Sequence, residues 1–315
     1  NALSIKHDDV EAIYNKSFAL LAKGSFCEGF KLHETRWQSK FGTGRFLKSS
    51  KPLWNGEKNK SVFVWGEQGI GDQIMYASMI PELQKISSKL IVYCDKRLIP
   101  LFQRSFSENI IYYDNINCVN ESEYDFHTPI GSLACRFRPS SESFKKAPIS
   151  FLRHNKVQST LLREKILAGN NNKIIGISWS TKATAKKAAN RNIGLADLAQ
   201  TLTSPNTQLV CLQYGDVDDE IKILKKDHGI EVIKLSEIDN LNDIDGLASL
   251  IMCCDTIIST TSATVHLAGA LGAEVKVLLP FPARWIWGRV GSEKTWYKSV
   301  SPYQQKETGN WNDVL

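Results

Sequence analysis

From residue 61 onward, short apolar runs alternate with longer segments in which apolar residues recur at helical spacing. Short apolar runs are typical of buried strands, and apolar residues three and four positions apart are typical of helices. We expect strands at 61–65, 89–94 and 109–113, helices at about 72–87 and 98–106, and a weaker strand and helix in YDFHTPIGSLACRF. This alternation predicts an α/β fold with a mainly parallel sheet covered by helices.

A second alternation begins after about residue 153. The predicted strands are IIGISW, TQLVCLQY, EVIKL, TIISTT and EVKVLLP, and the helices lie near 195–203 and in DDEIKILKKDH, DIDGLASLIMCC and SATVHLAGALG. This pattern predicts a second doubly wound domain. Two such Rossmann-like domains in tandem would face a cleft, with the carboxyl ends of their strands directed toward one ligand.

The pattern before residue 61 is different. Residues 1–37 form two amphipathic helical segments with Gly24 between them. They predict a helical hairpin, either packed on the main body or forming the last unit of a repeat array, because an isolated helical pair cannot bury its apolar face alone. The expected domains are the hairpin at 1–37, a linker at 38–60, Rossmann-like domains at 61–152 and 153–290, and a tail at 291–315 that forms a helix on the first of these domains.

Composition narrows the class of protein. The 315 residues are 42% hydrophobic and 23% charged, as in soluble globular proteins. A formal charge of +6 suits a phosphorylated small ligand and is too weak to indicate nucleic acid binding. We find no apolar run of membrane-spanning length and no signal peptide, and because the first residue is Asn1 we expect an excised fragment. The seven cysteines lack C-x-x-C spacing, so we expect a reducing cytoplasm and neither zinc nor a disulfide framework.

The turn GEQGIGD follows the first predicted strand, at residues 66–72. Its spacing is G-x-x-G-x-G, which is not the dinucleotide fingerprint, and it lacks the Gly-Lys-Ser/Thr of a nucleotide-triphosphate loop. Dehydrogenase and NTPase functions are therefore not supported. Asp72 has two interpretations: it caps the following helix, or it faces a ligand and does chemistry.

The second domain contains a hydroxyl-rich helix start. Thr261, Ser262 and Thr264 surround the point where a strand gives way to a helix rich in Ala and Gly. First-turn N–H groups and the helix dipole favour an anion such as pyrophosphate. The alternative is that the small residues allow close packing and that Ser262 only caps the helix. His266 is either a structural hydrogen-bonding residue or a catalyst.

A basic loop follows the strand IIGISW. Its cations are Lys182, Lys186, Lys187 and Arg191. They are expected at the carboxyl end of the sheet, where ligands bind in open α/β folds, and Arg191 is the preferred phosphate contact. The alternative is an ordinary solvated loop.

Two D-x-D pairs occur, at 216–218 and 243–245. This pattern can hold a divalent cation with a nucleotide diphosphate. Both pairs begin predicted helices, where acidic residues are favoured by capping and by the helix dipole. We therefore expect neither a metal ion nor any other cofactor.

Together, VWGEQGIGDQIMYASMIPEL, GISW, LQYGDVDDEI, DTIISTTSATVHLAGALG, VLLPF and WYKSV resemble the glycosyltransferase domain that follows tetratricopeptide repeats in bacterial proteins. That domain is similar to the ADP-heptose:lipopolysaccharide heptosyltransferases and, more distantly, to O-GlcNAc transferases. The hairpin is in turn similar to the end of a tetratricopeptide array. The resemblance covers residues 12–315 and implies a GT-B fold and metal-independent sugar transfer with inversion, the donor on the second domain and the acceptor on the first.

The resemblance also implies site residues. Asp72 is the expected general base, and Gly69, Gly71 and Gln73 form the acceptor-side loop. The residues expected to bind the nucleotide-sugar are Ser178, Ser180, Lys182, Arg191, Gln213, Tyr214, Thr261, Ser262, Ala263, Thr264 and His266. Thr261 stands where this family usually has an aspartate that is associated with the sugar hydroxyls.

The implied partners are a nucleotide-diphospho-sugar donor and a protein or glycan acceptor, the acceptor recruited by the helical repeats. Two alternatives stay open. The chain could be a catalytically degenerate interaction module, which Thr261 favours, or another GT-B enzyme such as a nucleotide-sugar epimerase.

Overall fold

The structure is a computed structural model that describes residues 6–42, 46–181, 190–288 and 296–315. The chain divides into two compact units. The first comprises Asn1–Pro148 and Arg284–Trp296, and the second comprises Ile149–Ala283 and Tyr297–Leu315. Among the described residues, the helices lack the length and continuous apolar character needed to cross a membrane.

The first unit is built on a four-stranded parallel sheet with the order β3-β2-β1-β4. Its strands are β1 (Ser61–Trp65), β2 (Lys89–Tyr93), β3 (Ile110–Tyr113) and β4 (Phe126–Pro129). The three apolar runs and the weaker strand expected from the sequence therefore all form, within one residue or two of their predicted ends.

The helices of the first unit flank this sheet and form the N-terminal hairpin. They are α1 (Val10–Ala22), α2 (Phe26–His33), α3 (Ile70–Ala77), α4 (Ile80–Gln84), α5 (Ile99–Ser105), α6 (Ala134–Phe137) and α7 (Ser141–Lys145). Shorter 3-10 turns include Glu34–Trp37 and Ile130–Leu133. The single helix expected at 72–87 is instead split into α3 and α4, because Pro81 has no N–H to donate to the carbonyl four residues earlier.

The helical hairpin α1–α2 packs on the first unit through aromatic side chains. Phe26 and Phe30 are buried on its inner face. The ring of Phe26 lies 4.8 Å from that of Phe144, and the ring of Phe30 lies 5.8 Å from that of Trp285. The hairpin thus shares the core of the first unit, while its relation to a repeat array stays a prediction.

Part of the expected linker belongs to the sheet. Leu53 forms a parallel bridge with His127 of β4, and the Trp54 N–H donates to the His127 carbonyl at 2.9 Å. Trp54 is buried. The prediction of a linker through residue 60 is therefore wrong for this stretch, which extends the edge of the sheet despite its Pro and Gly residues.

The second unit contains a six-stranded parallel sheet with the order β10-β9-β8-β5-β6-β7. Its strands are β5 (Lys173–Ser178), β6 (Thr207–Cys211), β7 (Val232–Ile233), β8 (Thr256–Thr260), β9 (Val275–Leu279) and β10 (Val300–Gln304). Its helices include α8 (Lys156–Leu167), α9 (Leu195–Leu202), α10 (Asp218–His228), α11 (Ile244–Met252) and α12 (Ala263–Leu271). All five predicted strands and four predicted helices are present, together with α8 and β10, which the sequence pattern did not predict.

The C-terminal tail differs from its prediction. Val300–Gln304 is a strand paired with β9, and residues 312–314 form a turn instead of a helix. Trp311, Val314 and Leu315 pack against the apolar core around β5 and β6. Residues 297–315 therefore complete the second unit, and the prediction of a tail helix on the first domain is wrong.

Both sheets have a topological switch point, where the chain changes the direction in which it adds strands. In the second unit this point lies between β5 and β8, and in the first unit between β1 and β4. Open α/β sheets bind ligands outside the carboxyl ends of the strands at such points. The candidate binding sites are therefore at the turns that follow β1 and β4, and at those that follow β5 and β8.

Candidate active site

Asp72 lies in the first turn of the helix that follows β1. Helix α3 begins at Ile70 with Gly69 at the N-cap, and no side chain caps it. Asp72 is the third helical residue, so it is not the cap, and the capping interpretation of Asp72 is wrong. The sequence misplaced the helix start because Gly69, which has no side chain, occupies the position where a polar cap is usual.

The carboxylate of Asp72 is largely shielded from solvent and lies near the positive charge of Arg284. Its side chain is 20% exposed, and its Oδ1 lies 3.8 Å from Nη2 of Arg284. Burial raises the pKa of Asp72, and the positive charge of Arg284 acts in the opposite direction. A carboxylate with a raised pKa that keeps some contact with solvent is suited to accept a proton.

The acceptor-side loop divides into open and structural residues. A Cβ built on Gly69 would come no closer than 3.9 Å to another atom, the nearest being Asp72 Oδ2, so the space over Gly69 is open. Gly71 is half-buried beside it. Gln73 is buried, its Nε2 donates to the Gln68 carbonyl at 2.9 Å, and its Oε1 accepts from the Asp95 N–H at 2.9 Å. Gln73 therefore shapes the turn and does not face an acceptor.

Behind this turn lies a buried ion pair that sequence reasoning missed. Arg36, at the end of the hairpin, pairs with Glu67 of the turn after β1. Arg284, beside Asp72, was also missed. The partners are distant in the sequence and belong to no shared motif, so only the fold brings them together.

In the second unit, the carboxyl ends of β5 and β6 are joined by Gln213. Its Oε1 accepts from Ser178 Oγ and from the N–H groups of Trp179 and Ser180, each at 3.0 Å. Its Nε2 donates to the carbonyls of Ser180 and Tyr214. Gln213 and Ser178 are buried, and their side-chain polar groups bond within the protein, so the prediction that these side-chain groups bind the nucleotide requires correction. Their role is to hold the loop after β5.

The residues of that loop surround the second switch point. Ser180 and Tyr214 are half-buried. The Tyr214 hydroxyl donates to Thr181 Oγ1 at 3.4 Å, and the Thr181 N–H donates to Asn192 Oδ1 at 2.9 Å. Arg191, next to Asn192, is half-buried. Lys182, Lys186 and Lys187 lie outside the described residues.

The hydroxyl-rich segment begins helix α12. Ser262 occupies the N-cap without making a side-chain cap hydrogen bond, and its Oγ is buried with no partner among the described residues. Ser262 is therefore at the predicted cap position, but its hydroxyl does not cap the helix. Thr261 and Ala263 flank it and are half-buried. This helix start offers backbone N–H groups and a hydroxyl to an anion.

Two residues of α12 point to structural roles. Thr264 and His266 are both buried. His266 Nδ1 lies 3.0 Å from the Tyr297 hydroxyl, and the two rings are in contact. Since both side chains are buried in the unit, the prediction that they contact the donor directly requires correction.

A cavity of about 720 Å³ opens at the carboxyl ends of β6 and β7. It is lined by Gln213, Gly215, Asp216, Asp218, Lys234, Leu235, Ser236, Ile238, Asp239, Asn240 and Leu241. Asn240 Nδ2 donates to the carbonyls of Cys211 and Gln213, whereas its Oδ1 is buried without a partner among the described residues. Asn240 thus holds the loop after β6 through its amide N–H groups, at the wall of the cavity. Asn240 could not be predicted as part of a site, because a single Asn in a polar stretch forms no recognisable motif.

The two D-x-D pairs have local partners. Asp218, the first residue of α10, forms an ion pair with Lys234, which lowers the pKa of Asp218. Asp243 is the N-cap of α11 and accepts from the Gly246 N–H at 2.8 Å. Within residues 6–42, 46–181, 190–288 and 296–315, no group of three His, Cys, Asp or Glu side chains is placed to hold a metal ion.

Comparison with known proteins adds the fold type. No protein-family model matches the chain. The chain is 27% identical over 322 residues to Protein FlbA of Caulobacter vibrioides, which covers 96% of this chain and 53% of FlbA. The chain thus spans about half the length of the curated relative that it matches.

Two solved structures show the likeness of fold. The glycosyltransferase family 9 protein of Veillonella parvula matches with a TM-score of 0.53 at 11% identity, over 79% of this chain and 87% of that protein. The Escherichia coli ADP-heptose LPS heptosyltransferase II matches with a TM-score of 0.53 at 13% identity, over 79% of this chain and 92% of that enzyme. The chain therefore has a GT-B-like α/β fold of the kind found in heptosyltransferases.

Proposed function

We propose that this protein is an inverting glycosyltransferase that moves a sugar from a nucleotide-diphospho-sugar to a hydroxyl of a protein or glycan. The observation that carries the proposal is the shielded carboxylate of Asp72 at the switch point of the first sheet, in a fold shared with heptosyltransferases. The second unit supplies the complementary feature, an anion-binding helix start at its own switch point.

Asp72 acts as the general base. Its carboxylate takes the proton from the acceptor hydroxyl while the acceptor oxygen attacks the anomeric carbon. The bond from that carbon to the diphosphate oxygen breaks, and its electron pair leaves with the nucleoside diphosphate. A single displacement inverts the configuration of the sugar. The raised pKa of Asp72 makes it a stronger base than an ordinary aspartate at neutral pH, and the open space over Gly69 admits the acceptor.

The donor binds to the second unit. Its diphosphate lies at the start of α12, where backbone N–H groups and the Ser262 hydroxyl donate to phosphate oxygens. Thr261 and Arg191 add contacts to the diphosphate and the sugar. Tyr214 contacts the nucleoside, whose base enters the cavity at the carboxyl ends of β6 and β7.

Transfer proceeds without a divalent cation in this proposal. The leaving diphosphate is stabilised by oriented N–H groups and by Arg191, which provide the electrostatic part of catalysis. One carboxylate of each D-x-D pair already has another partner, Asp218 in an ion pair and Asp243 in a helix cap. Neither pair is needed as a ligand for a metal.

The first experiment is calorimetry with UDP-, GDP- and ADP-sugars in the presence of EDTA. We expect saturable binding of one nucleotide class. If none of these compounds binds, the non-catalytic interaction module favoured by Thr261 is the better explanation. If affinity or turnover appears only when Mn²⁺ or Mg²⁺ is added back, the metal-independent mechanism is wrong.

The second experiment separates transfer from epimerisation. The protein is incubated with the bound donor, with and without acceptor, and the products are identified by NMR. A transferase releases nucleoside diphosphate and produces a glycoside of inverted configuration when acceptor is present. An isomerised donor that appears without acceptor would favour the epimerase alternative.

A further inference from the structure

The buried pair of Arg36 and Glu67 joins the helical hairpin to the turn that leads to Asp72. Arg36 lies in the 3-10 turn that follows α2, and Glu67 lies two residues after β1. Arg36 Nη2 is 3.1 Å from Glu67 Oε1 and 3.0 Å from Oε2, and Arg36 Nε is 3.3 Å from Oε2. Each side chain is 1% exposed. The pair is therefore a multidentate interaction shut off from solvent.

A second set of contacts ties the same pair to the other side of the switch point. Glu67 Oε1 accepts from the Gly131 N–H at 3.1 Å, in the 3-10 turn after β4. Arg36 Nη2 donates to Ser132 Oγ at 2.9 Å. Arg36 Nη1 also contacts Glu34 Oε1 at 2.6 Å, and the Ser132 hydroxyl reaches the same carboxylate at 2.8 Å. Three segments that are distant in the sequence thus meet in one closed network.

Gly131 is part of how this network fits. A Cβ built at Gly131 would lie 2.2 Å from Glu67 Oε1. The absence of a side chain allows the Glu67 carboxylate to approach the backbone of the turn after β4. The carboxylate therefore connects the turns that follow β1 and β4, the two strands on either side of the switch point.

Stability alone is a poor reason for such a network. Taking two charges out of water costs more free energy than many buried ion pairs recover, and apolar replacements of similar volume are often as stable. What a multidentate Arg–carboxylate pair does supply is a defined geometry. The geometry defined here is that of the turn from residue 66 to residue 69, immediately before the helix that carries Asp72.

We propose that Arg36 and Glu67 are positioning residues for the base, and that the N-terminal hairpin is for this reason a working part of the acceptor side of the enzyme. The inference rests on the proposed function, in which Asp72 accepts the proton. In the hairpin, Arg36 contributes the guanidinium that holds Glu67. In the turn, Glu67 holds the backbone that sets where Asp72 lies.

The test removes both charges together, as Arg36→Met combined with Glu67→Gln, so that no unpaired charge is left buried. The control is Arg138→Met combined with Glu82→Gln, which removes another ion pair of the first unit with an equally buried arginine, at 2.6 Å. Two quantities are measured in each double variant of the full chain: the steady-state constants of transfer, and the hydrogen exchange of the backbone amides at 66–73.

We expect the Arg36/Glu67 variant to fold, to lose kcat by about 10- to 100-fold, as misplacement of a catalytic group by about 1 Å does, and to keep the KM for the donor. Its amides at 66–73 should exchange faster than in the parent. The Arg138/Glu82 variant should match the parent in kcat and in exchange at 66–73. The single variant Arg36→Lys keeps the positive charge but loses the bidentate geometry. Its kcat should lie between that of the parent and that of the Arg36/Glu67 double variant.

Parent-like kcat in the Arg36/Glu67 variant would overturn the inference, and so would an equal loss of kcat in both double variants. Failure of the proposed function has a different signature, since the parent itself would then transfer no sugar. In that case exchange at 66–73 still decides whether the pair orders the turn: unchanged exchange overturns that part as well.

Discussion

Asp72 and Arg284 form the ion pair on which the proposed chemistry of the first unit depends. The carboxylate is shielded, and the guanidinium, which is half exposed, lies 3.8 Å away. Arg284 keeps the pKa of Asp72 lower than burial alone would set it. These two side chains therefore determine at which pH the proposed base is ready to accept a proton.

We predict that Asp72→Asn lowers transfer by about a hundredfold or more, because general-base catalysis contributes about 10²- to 10⁴-fold. The substitution removes the basic oxygen and keeps the size of the side chain. Since Asp72 makes no cap hydrogen bond, the folding free energy and the donor affinity should be nearly unchanged. Steady-state kinetics, calorimetry with the donor and thermal unfolding check the three parts.

The control for this variant is Arg191→Ala, which should show the opposite pattern. It removes a contact to the diphosphate, and a hydrogen bond to a charged group is worth about 1.5–3 kcal/mol. Donor affinity should therefore fall by about 10- to 100-fold. If Asp72→Asn transfers sugar at close to the parent rate, the base lies elsewhere in the chain.

We predict that Arg284→Met moves the acidic limb of the pH–rate profile to higher pH. The base must be ionised to act, and Arg284 lowers the pKa of Asp72. Removing the guanidinium therefore raises that pKa further, so that a higher pH is needed for the same rate. The measurement is kcat/KM against pH. Arg136→Met, another exposed arginine of the same unit, should leave the limb in place, and a limb shifted equally in both variants would contradict the prediction.

At the scale of single elements, the 3-10 turn at Ile130–Leu133 is held closely by the Glu67 carboxylate and by Arg36. We predict that Gly131→Ala destabilises the protein by about 1–3 kcal/mol, as overpacking of a filled core does. The added Cβ would meet the Glu67 carboxylate at 2.2 Å, and Arg36 prevents that side chain from moving aside. Denaturant unfolding checks the value.

Gly194→Ala is the matched control. Its Cβ would also be too close to a carboxylate, at 2.7 Å from Asp197 Oδ2. Asp197 is exposed and can turn into solvent, so this substitution should cost less than 1 kcal/mol. Equal losses of stability at both glycines would mean that the Arg36 contact does not restrain Glu67.

Most of the elements could be predicted because burial on both faces of a parallel sheet produces continuous apolar runs. β8, whose five residues are all buried, is an example. The helix α8 was not predicted because two of its apolar residues, Val157 and Leu161, face solvent. Its apolar residues therefore do not recur on a single face at helical spacing. β10 escaped because the sequence VSPYQ is mostly polar and contains Pro302, which is tolerated at the edge of a sheet.

The candidate site could be predicted only in part, for a related reason. Motifs reveal residues that are close in sequence, such as Asp72 after its glycines or Ser262 before its helix. Arg36 and Glu67 are 31 residues apart, so no local sequence pattern predicts their contact. Gln213 showed the converse error: its position at the end of a strand was predicted, but its amide turned out to be used within the loop.

At the scale of the whole molecule, the C-terminal tail packs beside the loop of the second unit to which we assign donor binding. Trp311 packs on the apolar core, and its Nε1 donates to the Asn192 carbonyl at 3.0 Å. Asn192 in turn accepts from the Thr181 N–H. The tail thus holds one end of the loop whose other end follows β5.

We predict that Trp311→Ala destabilises the protein by about 2 kcal/mol or more, near the low end for a buried large residue because the ring is only partly buried. Donor affinity should fall with it, since the Asn192 carbonyl loses its donor. Denaturant unfolding and calorimetry measure the two effects. Tyr303→Ala, an exposed aromatic residue in β10, should change neither, and an equal loss in both variants would contradict this role of the tail.

The path of the chain through its two units has a consequence for how such a gene can be divided and recombined. Arg284–Trp296 belongs to the first unit, while the residues before and after it belong to the second. Trp296, from that short stretch, packs its ring against Tyr76 and Phe144. In a chimera with one crossover near residue 148, the first 148 residues would come from one parent. The segment Arg284–Trp296, which packs into the same unit, would come from the other parent. Exchange of a whole unit between relatives therefore requires three junctions, near residues 148, 283 and 296.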